Sequence, residues 1–402
     1  RSLDGSRFVT QAINGLMVGG PELFADMRKT VAERAVDETT GVNTAATSLA
    51  DVMSELMKSP VVARKVDEAF SHLDAAGYNY MGSRFDVDGV DYPNRVMFGS
   101  ETYPLKIGVE WPLVTSNPAV IGDFTWTGWD YLGEAGIGRV EYVDGEPEGP
   151  STFLGSYPWL AAWCGDIDIS GVRRPQSYYR EIVYGLRTDP YVAVIRPERR
   201  QFKARSSPWS WSDAVSSWSW PGLDGETVTV EVYADADEVE LLVNGRSIGT
   251  RPATIDEAYR TTFDVPYQPG VIEAIARRRG VEMGRTRLAT AGDEVVLDAR
   301  ADRAEIRADG SDLSFVALTL VDAEGIVHTT LDRSVTIEID GPGVLQGLCS
   351  ANPATEEKFT STSCRTFDGR ALAVIRPSDA GLISVAISAD GCAPALVVIT
   401  AA

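Results

Sequence analysis

Two different hydrophobic rhythms divide the 402-residue chain. Up to about residue 190, apolar residues recur at three- and four-residue steps between short apolar runs, whereas beyond it apolar and polar positions alternate one by one. Phe8-Val9-Thr10-Gln11-Ala12-Ile13 reads as a short buried strand, and residues 23–36 and 46–57 have helical spacing. Val62, Val66, Phe70 and Leu73 predict a helix over 61–73, with Ser59 as its cap and Pro60 in its first turn. Further strands are predicted over 75–80, 95–98 and 120–126, and short helices over 104–113 and 176–186. Strands that alternate with helices imply a parallel sheet. Four such strands are half of an eight-stranded barrel.

The second rhythm is that of half-buried strands. Glu226-Thr-Val-Thr-Val-Glu-Val-Tyr233 alternates without a break, and Asn244-Gly245 supplies the two positive-φ positions of a tight hairpin turn. The pattern pauses at 289–293 and resumes over 305–308, 313–321, 335–339 and 382–388. Two sandwiches of about 100 residues each fit this spacing. The expected organisation is therefore the C-terminal half of a (β/α)8 barrel over 1–190, a β-sandwich domain over 191–292, and an immunoglobulin-like β-sandwich domain over 293–402.

Composition narrows the partners. With 58 acidic against 37 basic residues the formal charge is −21, which argues against nucleic acid and anionic membrane surfaces, both polyanions. No run of apolar residues is long enough for a helical membrane span. Two His and four Cys exclude a His-rich metal site and a disulfide framework, so no metal or cofactor is expected. Cys349 and Cys364 are left either as one disulfide or as buried thiols. All nine Trp precede residue 221. Trp209-Ser-Trp211 and Trp218-Ser-Trp220 have the two-residue spacing that puts each pair on one face of an extended strand, where they seal a junction or core, or stack on sugars.

Three segments carry candidate chemistry: Gly77-Tyr-Asn-Tyr80, Phe98-Gly-Ser-Glu-Thr-Tyr103, and the stretch from Gly122 to Glu134. Each falls at the C-terminal end of a predicted strand, where barrels build active sites. Glu101 puts a carboxylate at one strand end, Tyr80 a hydroxyl able to hold it on the preceding strand, and Trp126 a flat apolar face on the next. Taken alone, a Glu after a strand is more often a solvated loop residue.

In order and spacing these segments resemble the second half of the catalytic barrel of glycoside hydrolase family 2, the β-galactosidase, β-glucuronidase and β-mannosidase group. Leu3-Asp4-Gly-Ser-Arg7-Phe-Val-Thr10 resembles that family's entry into barrel strand five, and Gly165-Asp166-Ile-Asp168 followed by Pro175-Gln-Ser-Tyr178-Tyr179 its approach to the last barrel helix. Glu240 to Gly249 is similar to a sandwich that follows the barrel, and 295–402 to a further immunoglobulin-like domain. The resemblance implies Glu101 as nucleophile, Tyr80 as its hydrogen-bond partner and Trp126 as the sugar platform, with Asn79, Asp130 and Glu134 as polar groups for sugar hydroxyls. It also implies a retaining mechanism, which needs two carboxylates about 5–5.5 Å apart. The family's acid/base Glu belongs to an Asn-Glu pair at the end of strand four, and this chain has no Asn-Glu dipeptide. The expectation is a C-terminal portion of a retaining β-galactosidase that lacks the first half of the barrel, is inactive alone, and self-associates or pairs with the missing half through its open strand edges. β-Glucuronidase, β-mannosidase or a non-catalytic sugar-binding piece are the alternatives. The absence of an Arg/Lys motif in the loops after strands six to eight favours a neutral sugar.

Overall fold

The computed structural model describes residues 4–34, 54–146 and 154–402; most of the helix expected over 46–57 lies outside them. Four strands, β1 (Thr10–Asn14), β2 (Ala75–Asn79), β3 (Met97–Thr102) and β4 (Val120–Thr125), pair in parallel and in sequential order. Helical segments cross between them: Gly15–Arg34, kinked at Gly20 before Pro21, then Pro60–Ser71, Phe85–Asp91 and Ile107–Ser116. Ser59 caps the helix Pro60–Ser71 by accepting from the Val62 N–H, as its sequence implied.

Val62, Val66 and Phe70 bury the apolar face of that helix against Ala76, Tyr78, Met97 and Val120 of the sheet. Under this layer lies a buried ionic network. The Asp88 carboxylate accepts from the Tyr78 hydroxyl (2.7 Å), the Arg84 guanidinium (2.5 Å) and Arg95 (3.4 Å). Arg84 also donates to the Met57 carbonyl at 2.8 Å, so one guanidinium ties three segments together. On β4, Ile121 and Phe124 stay largely exposed.

The helix expected over 176–186 is Pro175–Val183. It stops early because Gly185 takes a left-handed φ of 71°. The Gly185 N–H then donates to Ile182 and the Leu186 N–H to Glu181, the paired bonds of a glycine C-terminal cap. A ribbon that the sequence pattern does not announce joins β5 (Val140–Val143) to β7 (Lys203–Ser206), across the 59 intervening residues of chain.

Beyond the helix, two four-stranded sheets face each other. One has the order β12-β9-β6-β8, from β6 (Tyr191–Ile195), β8 (Ala214–Val215), β9 (Thr227–Tyr233) and β12 (Arg260–Pro266). The other has the order β11-β10-β13-β14, from β10 (Ala236–Val243), β11 (Arg246–Ala253), β13 (Val271–Arg278) and β14 (Val281–Ala289). Asn244 and Gly245, with φ of 49° and 77°, make the expected β10–β11 turn. Trp218 and Trp220 lie in the core between the sheets, with Val230, Val239, Leu241 and Ile272.

A second pair of sheets follows. In chain order its strands are β15 (Val296–Ala301), β16 (Glu305–Ile306), β17 (Ser314–Val321), β18 (Ser334–Asp340), β19 (Gly343–Cys349), β20 (Ser363–Arg365), β21 (Arg370–Pro377), β22 (Gly381–Ala389) and β23 (Ala395–Ala401). They form sheets of order β15-β17-β21-β19 and β16-β23-β22-β18-β20 around Leu318, Val335, Ile375, Val385 and Ile399. All four cysteines are free, so the Cys349–Cys364 alternative resolves to thiols, Cys364 buried. Arg196 fastens this part to the rest through Asp213 (3.0 Å) and Asp368 (2.7 Å). Among the described residues no helix is long and apolar enough to cross a membrane.

Candidate active site

The parallel ends of β2, β3 and β4 bring three distant segments together. Between β2 and β3 the pairing steps from Tyr78 opposite Gly99 to Asn79 opposite Glu101, skipping Ser100. A bulge of this kind re-aims the side chains beside it. Tyr80, just past β2 and at a left-handed φ of 54°, donates its N–H to the Glu101 carbonyl at 2.7 Å. Its hydroxyl accepts the Trp209 indole N–H at 2.8 Å and lies near enough to the Glu101 carboxylate to feel its charge. Burial, followed by the Glu101 charge acting against the Trp209 bond, raises the Tyr80 phenol well above its ordinary range. The phenol therefore keeps its proton and is available to the carboxylate as a donor.

Aromatic rings enclose this pair. Tyr103 stacks on Tyr80 with centroids 4.4 Å apart, and Trp209 stands edge-on to both at 5.5 and 5.2 Å. Trp126, directly after β4, donates its backbone N–H to Thr102 (3.0 Å) and its indole N–H to the Tyr131 hydroxyl (3.0 Å). Tyr131 in turn donates to Glu134. Trp126, Tyr131 and Trp209 pack on one small core of Ile137, Ala162 and Cys164, so the two indoles belong to the same wall.

The other residues singled out from sequence fall around this centre in different ways. Asn79 is buried at the end of β2, and its side-chain oxygen accepts from Asn14 at 3.1 Å. Glu134 is exposed and orients Tyr131, hence Trp126. Asp130 departs from its expected role as a sugar contact. Its buried carboxylate accepts the Trp163 and Cys164 backbone N–H groups at 2.9 and 3.3 Å, and so holds the return of the loop instead of facing a ligand.

Trp209 is the site residue least legible in the sequence. The one-face expectation for Trp209 and Trp211 fails because residues 207–210 form a turn, not a strand. Trp209 reaches Tyr80, while Trp211 donates to the Tyr233 hydroxyl at 2.9 Å in a separate cluster. The only signal available was the aromatic density of the segment.

Glu110 and Asp123 form an acidic pair. Glu110, on the helix Ile107–Ser116, is buried against Gly82, where a Cβ would come within 2.6 Å of the Glu110 carboxyl carbon. Asp123 on β4 lies against Gly99 in the same way, at 2.5 Å, and accepts from the Thr102 hydroxyl at 3.0 Å. One oxygen of each carboxyl has no hydrogen-bond partner among the described residues. Burial, reinforced by the Asp123 charge, pushes the Glu110 carboxyl up to about 8, and burial pushes Asp123 up to about 6. A raised carboxyl favours the folded state below its unfolded pKa and loses that contribution as pH rises through the folded value. Stability is therefore expected to fall between about pH 4.5 and 8. Glu110→Gln should flatten that fall when denaturation midpoints are compared at pH 5 and pH 8; an unchanged slope would contradict the assignment.

The structure thus joins a parallel sheet, with a carboxylate, a tyrosine and two indoles gathered near its C-terminal edge, to β-sandwich layers. Residues 297–398 match the glycoside hydrolase family 2 C-terminal domain 5, and residues 225–284 match a domain of unknown function (DUF4982). The chain is 27% identical over 266 residues to the β-galactosidase BoGH2A of Bacteroides ovatus, covering 66% of this chain and 26% of that protein. It is 25% identical over 287 residues to a putative β-glucuronidase of Formosa agariphila, covering 70% of this chain and 24% of that one. A crystal structure of a glycosyl hydrolase family 2 member from Bacteroides cellulosilyticus superposes with a TM-score of 0.74 at 32% identity, covering 94% of this chain and 51% of that one. The chain belongs to glycoside hydrolase family 2, of which it represents a C-terminal portion. It spans about a quarter of the length of the curated relatives it matches.

Proposed function

We propose that the chain supplies the nucleophile side of a retaining β-galactosidase. Its residues 1–190 are the second half of a (β/α)8 barrel, and 191–292 and 293–402 are the two sandwich domains that follow. The observation that carries this reading is the placement of Glu101 beside Tyr80 at adjacent strand ends, with the Tyr80 hydroxyl fixed by the Trp209 indole. Tyr80 holds the Glu101 carboxylate in one orientation, so that an oxygen attacks the anomeric carbon as the bond to the leaving oxygen breaks. The product is a glycosyl ester on Glu101. A second carboxylate protonates the leaving oxygen and afterwards takes a proton from the water that releases the sugar. That second residue comes from the upstream half of the barrel, which packs where β1 has its open edge and where Ile121 and Phe124 are exposed. Trp126 provides the platform beneath the sugar, and Asn79 and Glu134 polar contacts beside it.

A neutral sugar is favoured over a uronic acid because the cations nearest Glu101 in the sequence are already engaged. Arg95 is ion-paired with Asp67 and Asp88, and the Lys106 charge acts on Glu110. The test compares nitrophenyl β-galactoside and β-glucuronide. The 402-residue chain alone is expected to turn over neither, and a polypeptide extended upstream to an acid/base Glu to prefer the galactoside. Clear turnover by the chain alone would overturn the division of the site, and preference for the glucuronide would overturn the choice of sugar.

A further inference from the structure

A cavity of about 470 Å³ lies between the β5–β7 ribbon, the segment 196–203 and the start of β9, with Leu105 on its wall. Its lining inverts the character of the chain. The protein carries a formal −21, yet Arg196, Arg199, Arg200, Lys203 and Arg260 line this space with Asp213 as its one carboxylate. Asp213 is already occupied, accepting from the Tyr142 hydroxyl at 2.9 Å and from Arg196 at 3.0 Å. Arg196 is further held by Asp368, and Arg260 by the buried Glu231. These two cations are structural.

The other three are available to a ligand. Arg199 is exposed and lies 5.7 Å above the Tyr142 ring, with no carboxylate partner among the described residues. Among the described residues Arg200 and Lys203 make solvent-accessible ion pairs, with Glu226 at 3.3 Å and Glu146 at 3.8 Å, and Arg200 also donates to the Pro197 carbonyl at 3.3 Å. Pairs of this kind contribute little and exchange partners readily. Tyr142, Phe202 and Trp211 give the cavity aromatic wall, and Ser206 and Thr227 add hydroxyls. A space of this size falls in the range of small-molecule sites, about 300–1,000 Å³, and is far larger than an inorganic anion requires.

We propose that this cavity binds an acidic saccharide, a sugar ring bearing a carboxylate or sulfate, as a second carbohydrate site distinct from the Glu101 centre. The ring packs on the aromatic wall while Arg199 meets the acid group with its planar fork of donors. The surrounding cations focus the field in an otherwise acidic protein and draw the anion in.

The test is calorimetric titration of the 402-residue chain with a glucuronate-containing disaccharide, a sulfated disaccharide, cellobiose and inorganic phosphate. At least one acidic disaccharide is expected to bind about tenfold tighter than cellobiose and phosphate, and the tighter of the two identifies the acid group. Arg199→Gln should weaken that binding about tenfold, Lys203→Gln more modestly, and Glu101→Gln not at all. Arg199 and Lys203 are exposed, so neither variant disturbs a packed core. Equal affinity for cellobiose, phosphate binding as tight as the disaccharide, or unchanged affinity in both cation variants would overturn the proposal. Loss of binding in Glu101→Gln would place the ligand in the catalytic centre instead.

Discussion

Glu101→Gln in the polypeptide that carries both carboxylates is expected to lower kcat/KM on an aryl β-galactoside by about 10,000-fold or more, the scale on which a covalent nucleophile is lost. Gln has nearly the shape of Glu, so the Trp209–Tyr80 contact and the stacking of Tyr103 persist. What disappears is the negative oxygen that forms the glycosyl ester. Sugar affinity should therefore change far less than turnover. A non-catalytic carbohydrate-binding protein would behave differently, with neither quantity depending strongly on Glu101. Paired measurement of kcat/KM and of product affinity separates the two cases, and a loss below about tenfold would remove Glu101 from the chemistry.

Asp88→Ala is expected to destabilise the four-stranded sheet by about 3–5 kcal/mol, the range for breaking a buried ion pair by removing one partner. Arg84 has 2% of its side chain exposed and Asp88 has none, so the stranded guanidinium is not rescued by water. The Tyr78 hydroxyl, on the strand that presents Tyr80, loses its acceptor as well. Replacing both partners with apolar residues, as in Arg84→Met with Asp88→Leu, should recover much of the loss, because no unpaired charge then remains. Urea denaturation of the three variants gives the comparison. A cost below about 1 kcal/mol for Asp88→Ala would mean that water or a shifted side chain compensates the guanidinium.

Sequence-level legibility followed the range of the interaction. The ends of β2, β3 and β4 could be read because local periodicity and parallel order place Tyr80, Glu101 and Trp126 at one edge without any long-range information. The β10–β11 turn was legible because Asn244-Gly245 determines its own backbone. Trp209 was not, since its partner Tyr80 lies 129 positions away and nothing local marks that contact. Asp130 looked like a ligand group because it sits among aromatic residues after a strand. Only the return of the chain at Trp163 and Cys164 shows its oxygens bound to backbone. The β5–β7 ribbon and the cation-lined cavity beside it are illegible for the same reason, being assembled from segments about 60 residues apart. The bulge at Ser100 shows a finer limit: a one-residue slip decides where Glu101 points, and alternation alone does not reveal it.

The central claim, that Glu101 is the nucleophile, is tested most directly by trapping. A 2-deoxy-2-fluoro-β-galactoside with an activated leaving group, incubated with the polypeptide that carries both carboxylates, should leave one fluorosugar on the protein. Peptide mass spectrometry is expected to locate that sugar as an ester on Glu101. An adduct on Asp123, Glu134 or any other carboxylate would contradict the assignment, as would rapid hydrolysis of the reagent with no adduct at all.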